Sequence, residues 1–304
     1  MFTPNPLFPG ARVALIAPAG PVAPEKFGPA VRAVEELSLT PVIFESCRRS
    51  HGYFAGDDSL RAKDICSAFA DKSIDGILCI RGGYGAQRLL HLLDLNLIRK
   101  NPKPFFGYSD VTALHTVFNQ QCGFVTYHTP MPSTELCMNP DDYTLRSLKK
   151  VLFGEKIGEL QNPETMPLKT LVGGCAGGRL TGGNLSLVSS SLGTPYEINT
   201  KNKILFLEDV GEEPYRIDGM LNHLKAAGKF RDCAGILFGY FTKCEAEHPE
   251  KSLSLEQIFE ELIVPEHKPA ICNLACGHSM PTLSLPLGKT IEMNSISCKI
   301  NVLD

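Results

Sequence analysis

Residues 103–111, Lys-Pro-Phe-Phe-Gly-Tyr-Ser-Asp-Val, place a serine between a short apolar segment and a run typical of a helix. The apolar pair at 105–106 predicts a buried strand, and the run 110–121 predicts a helix. A serine at such a sharp strand-to-helix turn has its hydroxyl exposed at the strand end, beside a helix N-terminus that stabilises negative charge. Serine is also a common N-cap residue at the start of a helix, and Val111 stands where a full Gly-x-Ser-x-Gly motif has its second glycine. Ser109 could therefore be either a reactive serine or a helix cap.

Short apolar runs alternate with helical patterns on both sides of this turn. Such alternation predicts an α/β fold with a mostly parallel sheet and helices on both of its faces. Ligands bind at the carboxyl ends of the strands in such sheets, and the turns at Gly82-Gly83 and Ser109 would both lie at that edge. This placement favours a functional interpretation of Ser109. The predicted strands are 13–17, 40–44, 76–80, 105–106 and 124–127, and the predicted helices are 24–37, 58–70, 86–92 and 110–121.

The pattern is interrupted between Phe153 and Lys169, where glycines and prolines replace any sustained periodicity. This stretch is the predicted linker, and it divides the chain into an N-terminal domain, 1–160, and a smaller C-terminal domain, 161–304. The second domain also mixes strands and helices, which predicts an α/β or mixed architecture. Its predicted strands are 203–207, 235–240, 271–274, 290–293 and 297–302, and its predicted helices are 184–191, 216–227 and 255–263.

The composition is that of a large soluble protein and excludes several classes of partner. A net charge of -3 and scattered Lys and Arg residues provide no basic patch for a nucleic acid. Eleven cysteines, an odd number at irregular spacing, are more typical of reduced thiols in a cytoplasm than of a disulfide framework. The apolar stretch 13–17 is too short for a signal peptide, and no segment approaches the length of a membrane span. We therefore expect a cytoplasmic protein that binds neither nucleic acids nor membranes.

Two residues in the second half could assist a reactive serine. Glu208 follows the apolar run 204–207, and a carboxylate at a strand end can orient a histidine and stabilise its charged form. His278 stands in a Cys-Gly-His-Ser loop, and histidine is the usual base for a serine nucleophile. The plain alternatives are a solvated acidic loop around Glu208 and a loop histidine that only binds the backbone. His115 and His128 are competing bases.

Two other patterns invite cofactor interpretations. Cys272, Cys276 and His278 have C-x3-C-x-H spacing and Cys175 could be a fourth zinc ligand, but one of the two paired half-sites of a structural zinc site is missing. The glycine-rich stretch 173–183 lacks the Gly-Lys-Ser/Thr ending of a phosphate-binding loop and the spacing of a dinucleotide-binding loop. A tight-turned crossing between domains that leads into the next helix explains this stretch equally well. We therefore predict neither a metal nor a nucleotide cofactor.

Taken together, several short motifs resemble the LD-carboxypeptidase family, the serine peptidases typified by muramoyl-tetrapeptide carboxypeptidase. Each motif is short, but they occur in the family's order and extend over nearly the whole chain. The matching stretches are 15–20 (LIAPAG), 81–85 (RGGYG), 107–114 (GYSDVTAL), 181–185 (TGGNL), 193–196 (GTPY), 206–210 (FLEDV) and 276–278 (CGH).

The resemblance implies a two-domain hydrolase that needs no cofactor. A flavodoxin-like N-terminal domain would supply Ser109 as the nucleophile, and a C-terminal domain of swivelling β/α character would supply Glu208 and His278. His278 would take the proton of the serine and give it to the departing amine, while Glu208 holds the imidazole. The backbone N–H groups of Gly83 and Asp110 would form the oxyanion hole. A cleft between the two domains is expected, because each contributes part of the catalytic group.

The family's substrate is a murein tetrapeptide, a small peptide that is cut before its terminal D-alanine during peptidoglycan recycling. Such a substrate carries several carboxylates, so cationic or amide donors should line the cleft. Arg81 and Arg216, each next to a motif, are the candidates. A homodimer is expected on the resemblance alone.

Two alternatives are open at this level. One branch of the family resembles microcin C immunity proteins, which hydrolyse an acyl bond to a modified adenylate. That branch stacks a tryptophan on the nucleobase, and this chain has no tryptophan, which favours the murein enzyme. In the second alternative, of another class, a two-domain protein captures a peptide or sugar without turnover.

Overall fold

Strands and helices alternate through most of the computed structural model, which describes residues 1–303. In chain order the strands are β1 (Arg12–Ile16), β2 (Thr40–Ile43), β3 (Gly76–Cys79), β4 (Phe105–Gly107), β5 (Thr126–His128), β6 (Lys169–Val172), β7 (Cys175–Asn184), β8 (Lys203–Val210), β9 (Gly235–Thr242), β10 (Ala270–Cys272), β11 (Leu285–Leu287), β12 (Thr290–Asn294) and β13 (Lys299–Val302). The α-helices are α1 (Pro24–Glu36), α2 (Asp58–Ala70), α3 (Leu95–Lys100), α4 (Thr112–Val117), α5 (Asp142–Phe153), α6 (Leu185–Ser190), α7 (Pro214–Ala226), α8 (Lys229–Asp232) and α9 (Leu255–Leu262). Within residues 1–303, none of these helices has both the length and the apolar character of a membrane span.

The elements form two units, which we call the first unit and the second unit. The first unit contains residues 1–156 together with 284–288. The second unit contains residues 157–283 and the described residues from Lys289 onwards.

The first unit is built on a six-stranded sheet in the order β11-β5-β4-β3-β1-β2. Strands β1 to β5 run parallel to their neighbours, and β11 is antiparallel to β5. Parallel strands joined through helices confirm the predicted α/β architecture. Because the strands are parallel, their carboxyl ends meet at one edge of the sheet, where the loop after β3 and the turn after β4 both lie.

Local sequence signals fix where several helices begin. The carboxylate of Asp57 accepts a hydrogen bond from Leu60 N–H at 2.7 Å and caps α2. A reciprocal capping box between Ser254 and Gln257 begins α9. Each bond satisfies an N–H group that has no partner within the helix, which stabilises the helix start.

The helix predicted for 110–121 consists of three short segments. A 3-10 turn (Ser109–Val111) leads into α4, which is followed by a π-helical turn (Phe118–Cys122). Gly123, with a φ of +82°, ends the run in the left-handed conformation that favours glycine. Phe118 packs edge-to-face against Phe105 of β4, with ring centroids 5.0 Å apart, so the run is anchored on the sheet core.

The second unit is built on a seven-stranded sheet in the order β13-β12-β7-β8-β9-β10-β6. Strands β7, β8, β9 and β10 are parallel, and β6, β12 and β13 pair antiparallel. The apolar run at the start of β8 is fully buried between β7 and β9. The carboxyl end of β8, which carries Glu208, therefore lies among the ends of its parallel neighbours.

The glycine-rich stretch is part of this sheet, and the predicted crossing between domains is wrong. Most of it forms β7, which pairs with β8 on one side and β12 on the other. A Cβ at Gly178 would lie 2.6 Å from the carbonyl oxygen of Asn202, and one at Gly182 would lie 2.0 Å from that of Phe206. Glycine is required here because the neighbouring backbone approaches too closely for any side chain.

The segment 284–288 belongs to the first unit, although the surrounding chain belongs to the second. Within it, Leu285 pairs with His128 and Leu287 with Thr126 as β11 joins β5. The sequence pattern predicts no strand at these residues. Pro286 lies in the middle of this edge strand, where a residue without an N–H group is tolerated.

Candidate active site

Ser109 lies in the turn that follows β4 and has a strained backbone. Its φ is +65°, in the left-handed region that non-glycine residues seldom adopt. Such strain costs about 1–3 kcal/mol and is concentrated at functional sites. The residue before the 3-10 turn is Tyr108 and the residue before α4 is Val111, so Ser109 is the N-cap of neither. The simple capping interpretation is therefore wrong.

The glycine loop after β3 packs directly against this serine. A Cβ at Gly82 would lie 3.0 Å from Ser109 Cβ and 3.1 Å from its Oγ. Gly83 has a φ of +116°, and a Cβ there would lie 3.1 Å from the backbone nitrogen of Gly20. The Gly82 carbonyl accepts a hydrogen bond from Gly20 N–H at 3.0 Å. The structure thus brings the predicted oxyanion residue Gly83 and the predicted nucleophile into adjoining turns.

The side chain of Asp110 connects these two turns. Its carboxylate accepts a hydrogen bond from Ala86 N–H at 2.7 Å, and the residue is 1% exposed. Burial raises the pKa of Asp110 to about 6, while the N–H groups of Ala86 and Gly85 and the charge of Arg61 act in the opposite direction. One residue therefore supplies a backbone N–H beside the serine and fixes the end of the glycine loop with its side chain.

We expect Asp110 to make the fold less stable as the pH rises. The folded pKa of about 6 lies above the usual 3.8. The folded protein therefore retains a proton that the unfolded chain loses, and this stabilisation, fully present below the unfolded pKa, is lost as the pH rises through the folded pKa. The shift corresponds to about 2–3 kcal/mol. Free energies of unfolding measured between about pH 4 and about pH 7 should show wild type losing that amount relative to Asp110→Asn. Parallel profiles for the two proteins would contradict this assignment.

The two competing histidines of the first unit are buried. His115 is fully buried, its Nε2 lies 2.8 Å from the Gly107 carbonyl, and desolvation lowers its pKa to about 4. A neutral His115 therefore donates to the end of β4. His128 is 2% exposed, and its ring centroid lies 5.3 Å from that of Tyr108. Both histidines support the serine turn from within the core, which argues against a role for either as the base.

In the second unit, Glu208 and His278 form a buried pair. His278 Nδ1 lies 2.7 Å from Glu208 Oε2. The Glu208 side chain is fully buried, and the His278 side chain is 15% exposed. Burial raises the pKa of Glu208, and the charge of His278 lowers it in turn. With Nδ1 bound to the carboxylate, the ring has its tautomer fixed and Nε2 is the nitrogen that can exchange a proton with a substrate group.

The loop that carries His278 is fastened to β9 and to itself. Tyr240 N–H donates to the Cys276 carbonyl at 2.8 Å, and Tyr240 Oη donates to the Pro281 carbonyl at 3.1 Å. Gly277 N–H donates to Thr282 Oγ1 at 3.2 Å. Gly277 has a φ of +131°, and a Cβ there would lie 2.8 Å from Glu208 Oε2. Only glycine therefore allows the loop to bring the histidine onto the carboxylate.

A second buried carboxylate lies next to Glu208 in the chain. Asp209 is 2% exposed and accepts hydrogen bonds from Asn184 Nδ2 at 2.8 Å and from Ser186 N–H and Oγ at 2.9 and 2.7 Å. The interpretation of Glu208 and Asp209 as a solvated acidic loop is therefore wrong. Asn184 pairs with Glu208 in the parallel register of β7 and β8, so the motifs at 181–185 and 206–210 meet at adjacent strand ends. The sequence motif 181–185 includes Asn184 but gives no sign of its supporting role, and Ser186 lies just outside that motif.

The two candidate arginines have local partners in their own units. The half-buried Arg81 donates from Nη1 to the Pro21 carbonyl at 2.5 Å. The exposed Arg216 lies 3.8 Å from a carboxylate oxygen of Glu212, and its guanidinium lies over the ring of Tyr215. Arg81 flanks the glycine loop directly, whereas Arg216 is in the first turn of α7.

The residues weighed as zinc ligands do not form a site. Among residues 1–303, no group of three or more His, Cys, Asp or Glu side chains is arranged to hold a metal ion. Cys272 Sγ lies by the Lys169 carbonyl, Cys276 Sγ lies by the Leu283 carbonyl, and His278 is bound to Glu208. In the described part of the chain, the side chains of Cys272, Cys276 and His278 therefore have other partners and do not converge on one point.

The structure defines a two-unit α/β protein, with a strained serine turn in one unit and a carboxylate–histidine pair in the other. Residues 13–129 match the LD-carboxypeptidase N-terminal domain, and residues 177–293 match the LD-carboxypeptidase C-terminal domain. The chain belongs to the LD-carboxypeptidase family.

Named relatives agree with this assignment. The chain is 44% identical over 294 residues to the probable murein peptide carboxypeptidase of Bacillus subtilis, covering 97% of this chain and 92% of the relative. It is similar to the solved structure of muramoyltetrapeptide carboxypeptidase from Oxalobacter formigenes, with 26% identity, a TM-score of 0.82 and coverage of 96% and 98% of the two chains. The predicted family, fold class and carboxypeptidase class are confirmed.

A third similarity concerns the other branch of the family. The structure of MccF in complex with glutamyl sulfamoyl guanosine has a TM-score of 0.91 against this chain and covers 99% of it and 98% of the MccF chain. The identity is 22%, so this likeness shows the shared fold alone.

Proposed function

We propose that the protein is a serine carboxypeptidase that hydrolyses the L,D-peptide bond to the terminal D-alanine of murein tetrapeptides. The observation that carries the proposal is the buried Glu208–His278 pair at 2.7 Å, the base and orienting carboxylate that a serine hydrolase needs. The strained turn at Ser109 supports it, as do relatives named for murein peptides and muramoyltetrapeptides.

In the proposed first step, Ser109 Oγ attacks the carbonyl carbon of the scissile bond. His278 Nε2 accepts the hydroxyl proton, and the imidazolium that forms is stabilised by Glu208. The backbone N–H groups of Gly83 and Asp110 donate to the oxyanion of the tetrahedral intermediate. Each such donor contributes roughly 3 kcal/mol to transition-state stabilisation.

The second step releases D-alanine and regenerates the enzyme. The intermediate collapses as His278 gives its proton to the departing amine, which leaves the tripeptide as an ester on Ser109. A water molecule, deprotonated by His278, then attacks this ester, and the proton returns to Ser109 as the tripeptide leaves. No step requires a metal or another cofactor.

Burial suits Glu208 to this role. The fully buried Glu208 carboxylate lies against the imidazole of His278, and its charge is satisfied best when that imidazole is protonated. The pair therefore favours the state in which His278 holds the serine proton. Burial raises the pKa of Glu208, and the charge of a protonated His278 lowers that pKa and so opposes the rise.

Arg81 and Arg216 are proposed to bind carboxylates of the substrate. Arg81 is the better supported of the two, because it directly precedes the glycines that pack on Ser109. Arg216 would have to exchange its contact with Glu212 for a substrate carboxylate. Such an exposed ion pair is weak and can be replaced at little cost.

The proposed function is tested by incubating the purified protein with a murein tetrapeptide and measuring free D-alanine, with and without a metal chelator. We expect release of one D-alanine per peptide and no effect of the chelator. Binding without release would support the non-catalytic alternative. Loss of activity with the chelator would contradict a metal-free mechanism, and cleavage of an aminoacyl adenylate analogue in place of the peptide would support the microcin-type alternative.

We also propose that the enzyme acts in the cytoplasm and as a homodimer. All eleven cysteines lie within the described residues and are free, which is expected in a reducing compartment. The homodimer is proposed from family resemblance, and the mass of the protein in solution by light scattering tests it.

A further inference from the structure

Two tyrosines are exposed next to the glycine loop and contact each other. The Tyr53 residue is 65% exposed and the Tyr84 residue 57% exposed. Their ring centroids are 5.8 Å apart and their planes meet at 64°, so the two rings form an open corner. A pair of large aromatic rings that both face solvent leaves apolar surface uncovered, which is typical of a binding surface.

The corner is rigid because Tyr53 lies in a hydrogen-bonded turn and Tyr84 packs against the ring of Phe54. Tyr53 lies in a turn closed by two backbone hydrogen bonds between His51 and Phe54, at 2.8 and 3.1 Å. The Phe54 ring stacks on Tyr84 with centroids 5.9 Å apart. The guanidinium groups of Arg61 and Arg88 each lie 4.7 Å from the centroid of the Phe54 ring.

The carboxylate of Asp58 holds both of these arginines in place. Asp58 forms ion pairs with both Arg61 and Arg88, and Arg61 is fully buried. Arg61 also donates to the carbonyl of Gly85, the residue after Tyr84. The rings are therefore positioned before any ligand arrives, which lowers the entropic cost of binding.

The corner adjoins the proposed nucleophile within the same unit. Tyr84 is two residues from Gly82, whose backbone packs on Ser109. Two residues span at most about 7 Å, so the corner lies on the order of 10 Å from the serine. Three residues of extended peptide cover a similar distance, about 10 Å. A group attached to the N-terminal end of a tetrapeptide cut at its last bond could therefore reach the corner.

We propose that Tyr53 and Tyr84 bind the sugar ring of a muramoyl-linked tetrapeptide, so that the enzyme prefers this substrate to the free peptide. The proposal rests on the proposed function. A pyranose presents C–H groups on more than one side, and these groups interact with the electron-rich faces of aromatic rings. Two rings inclined at 64° contact such a three-dimensional group from two directions, whereas a flat nucleobase would stack on only one of them.

The test compares kcat/KM for an N-acetylmuramoyl tetrapeptide and for the free tetrapeptide. We expect wild type to favour the sugar-linked peptide, and Tyr53→Ala and Tyr84→Ala each to reduce that preference by about 3- to 10-fold. Tyr53→Phe and Tyr84→Phe keep the ring faces and should keep the preference. Phe8→Ala is the matched control, because Phe8 is 55% exposed and precedes β1. It therefore lies at the amino ends of the parallel strands, away from the carboxyl ends where Ser109 lies.

The possible outcomes separate the two proposals. If wild type releases D-alanine from the free peptide but the alanine variants keep the wild-type preference, the function stands and the sugar site is overturned. A wild type that cuts both peptides equally well also overturns the sugar site. If wild type cuts neither peptide, the proposed function fails and the sugar site fails with it.

Discussion

Ser109→Ala is expected to lower kcat for D-alanine release by about 10⁴-fold or more, because the variant has no oxygen nucleophile to form the ester intermediate. The measurement is D-alanine release at saturating tetrapeptide, together with the peptide affinity from calorimetry. The affinity should change little, since the substitution removes a hydroxyl and no binding group. Ser73→Ala is the matched control, because Ser73 is exposed on the turn that precedes β3. It therefore lies at the amino ends of the strands of the same sheet. That variant should retain wild-type turnover.

A double variant sharpens this test. If Ser109 and His278 act in one catalytic step, Ser109→Ala and His278→Ala together should be hardly slower than either alone. Losses that multiply would show two independent contributions and would contradict the proposed mechanism. A Ser109→Ala enzyme with more than a tenth of wild-type turnover would contradict it as well.

Gly277→Ala is the second change with a large expected effect. The new Cβ would lie 2.8 Å from Glu208 Oε2 and would force a residue with a side chain to hold a φ of +131°. The loop must shift, and His278 then leaves its position on the carboxylate. A displacement of about 1 Å near a catalytic group lowers the rate about 10²-fold, and loss of the correct histidine tautomer lowers it about 10⁴-fold. We therefore expect kcat to fall by a factor between these two values.

Gly219→Ala provides the control for Gly277→Ala in the same unit. Gly219 lies inside α7, and a Cβ there would meet no atom within 4 Å. The substitution should leave turnover unchanged and raise stability by about 1 kcal/mol, because alanine is the better helix former. If Gly277→Ala keeps wild-type turnover and the hydrogen-bonded histidine signal in an NMR spectrum, the role assigned to this glycine is wrong.

The parts of the fold with a local hydrophobic signal could be predicted from the sequence. The runs that became β1 and β3 are short, apolar and followed closely by glycine or proline. The helix predicted for 58–70 matches α2, which begins directly after its N-cap Asp57. By contrast, β7 contains so many glycines that it has no alternating pattern of side chains, so its extended structure depends on the strands beside it. Glycine-rich strands of this kind are visible only once their partners are known.

The candidate site could be predicted in its chemistry but not in its support. The residue types and motifs of Ser109, Glu208 and His278 fit one reaction, and this much follows from the sequence. The contact between Asp209 and Asn184 depends on the parallel register of two strands, which no local pattern encodes. The same holds for Asp110, whose carboxylate reaches a loop well before it in the chain.

The return of β11 to the first unit has a practical consequence for dissecting this protein. Because β11 covers β5, a gene fragment that encodes only residues 1–160 would produce a sheet with a bare row of backbone donors and acceptors along β5. Such an exposed edge pairs with strands of other molecules and promotes aggregation. Loss of activity in this fragment could therefore result from aggregation as well as from the absence of His278. A rearranged gene that joins residues 284–288 to the fragment would supply β11, so that β5 would be paired in the isolated first unit.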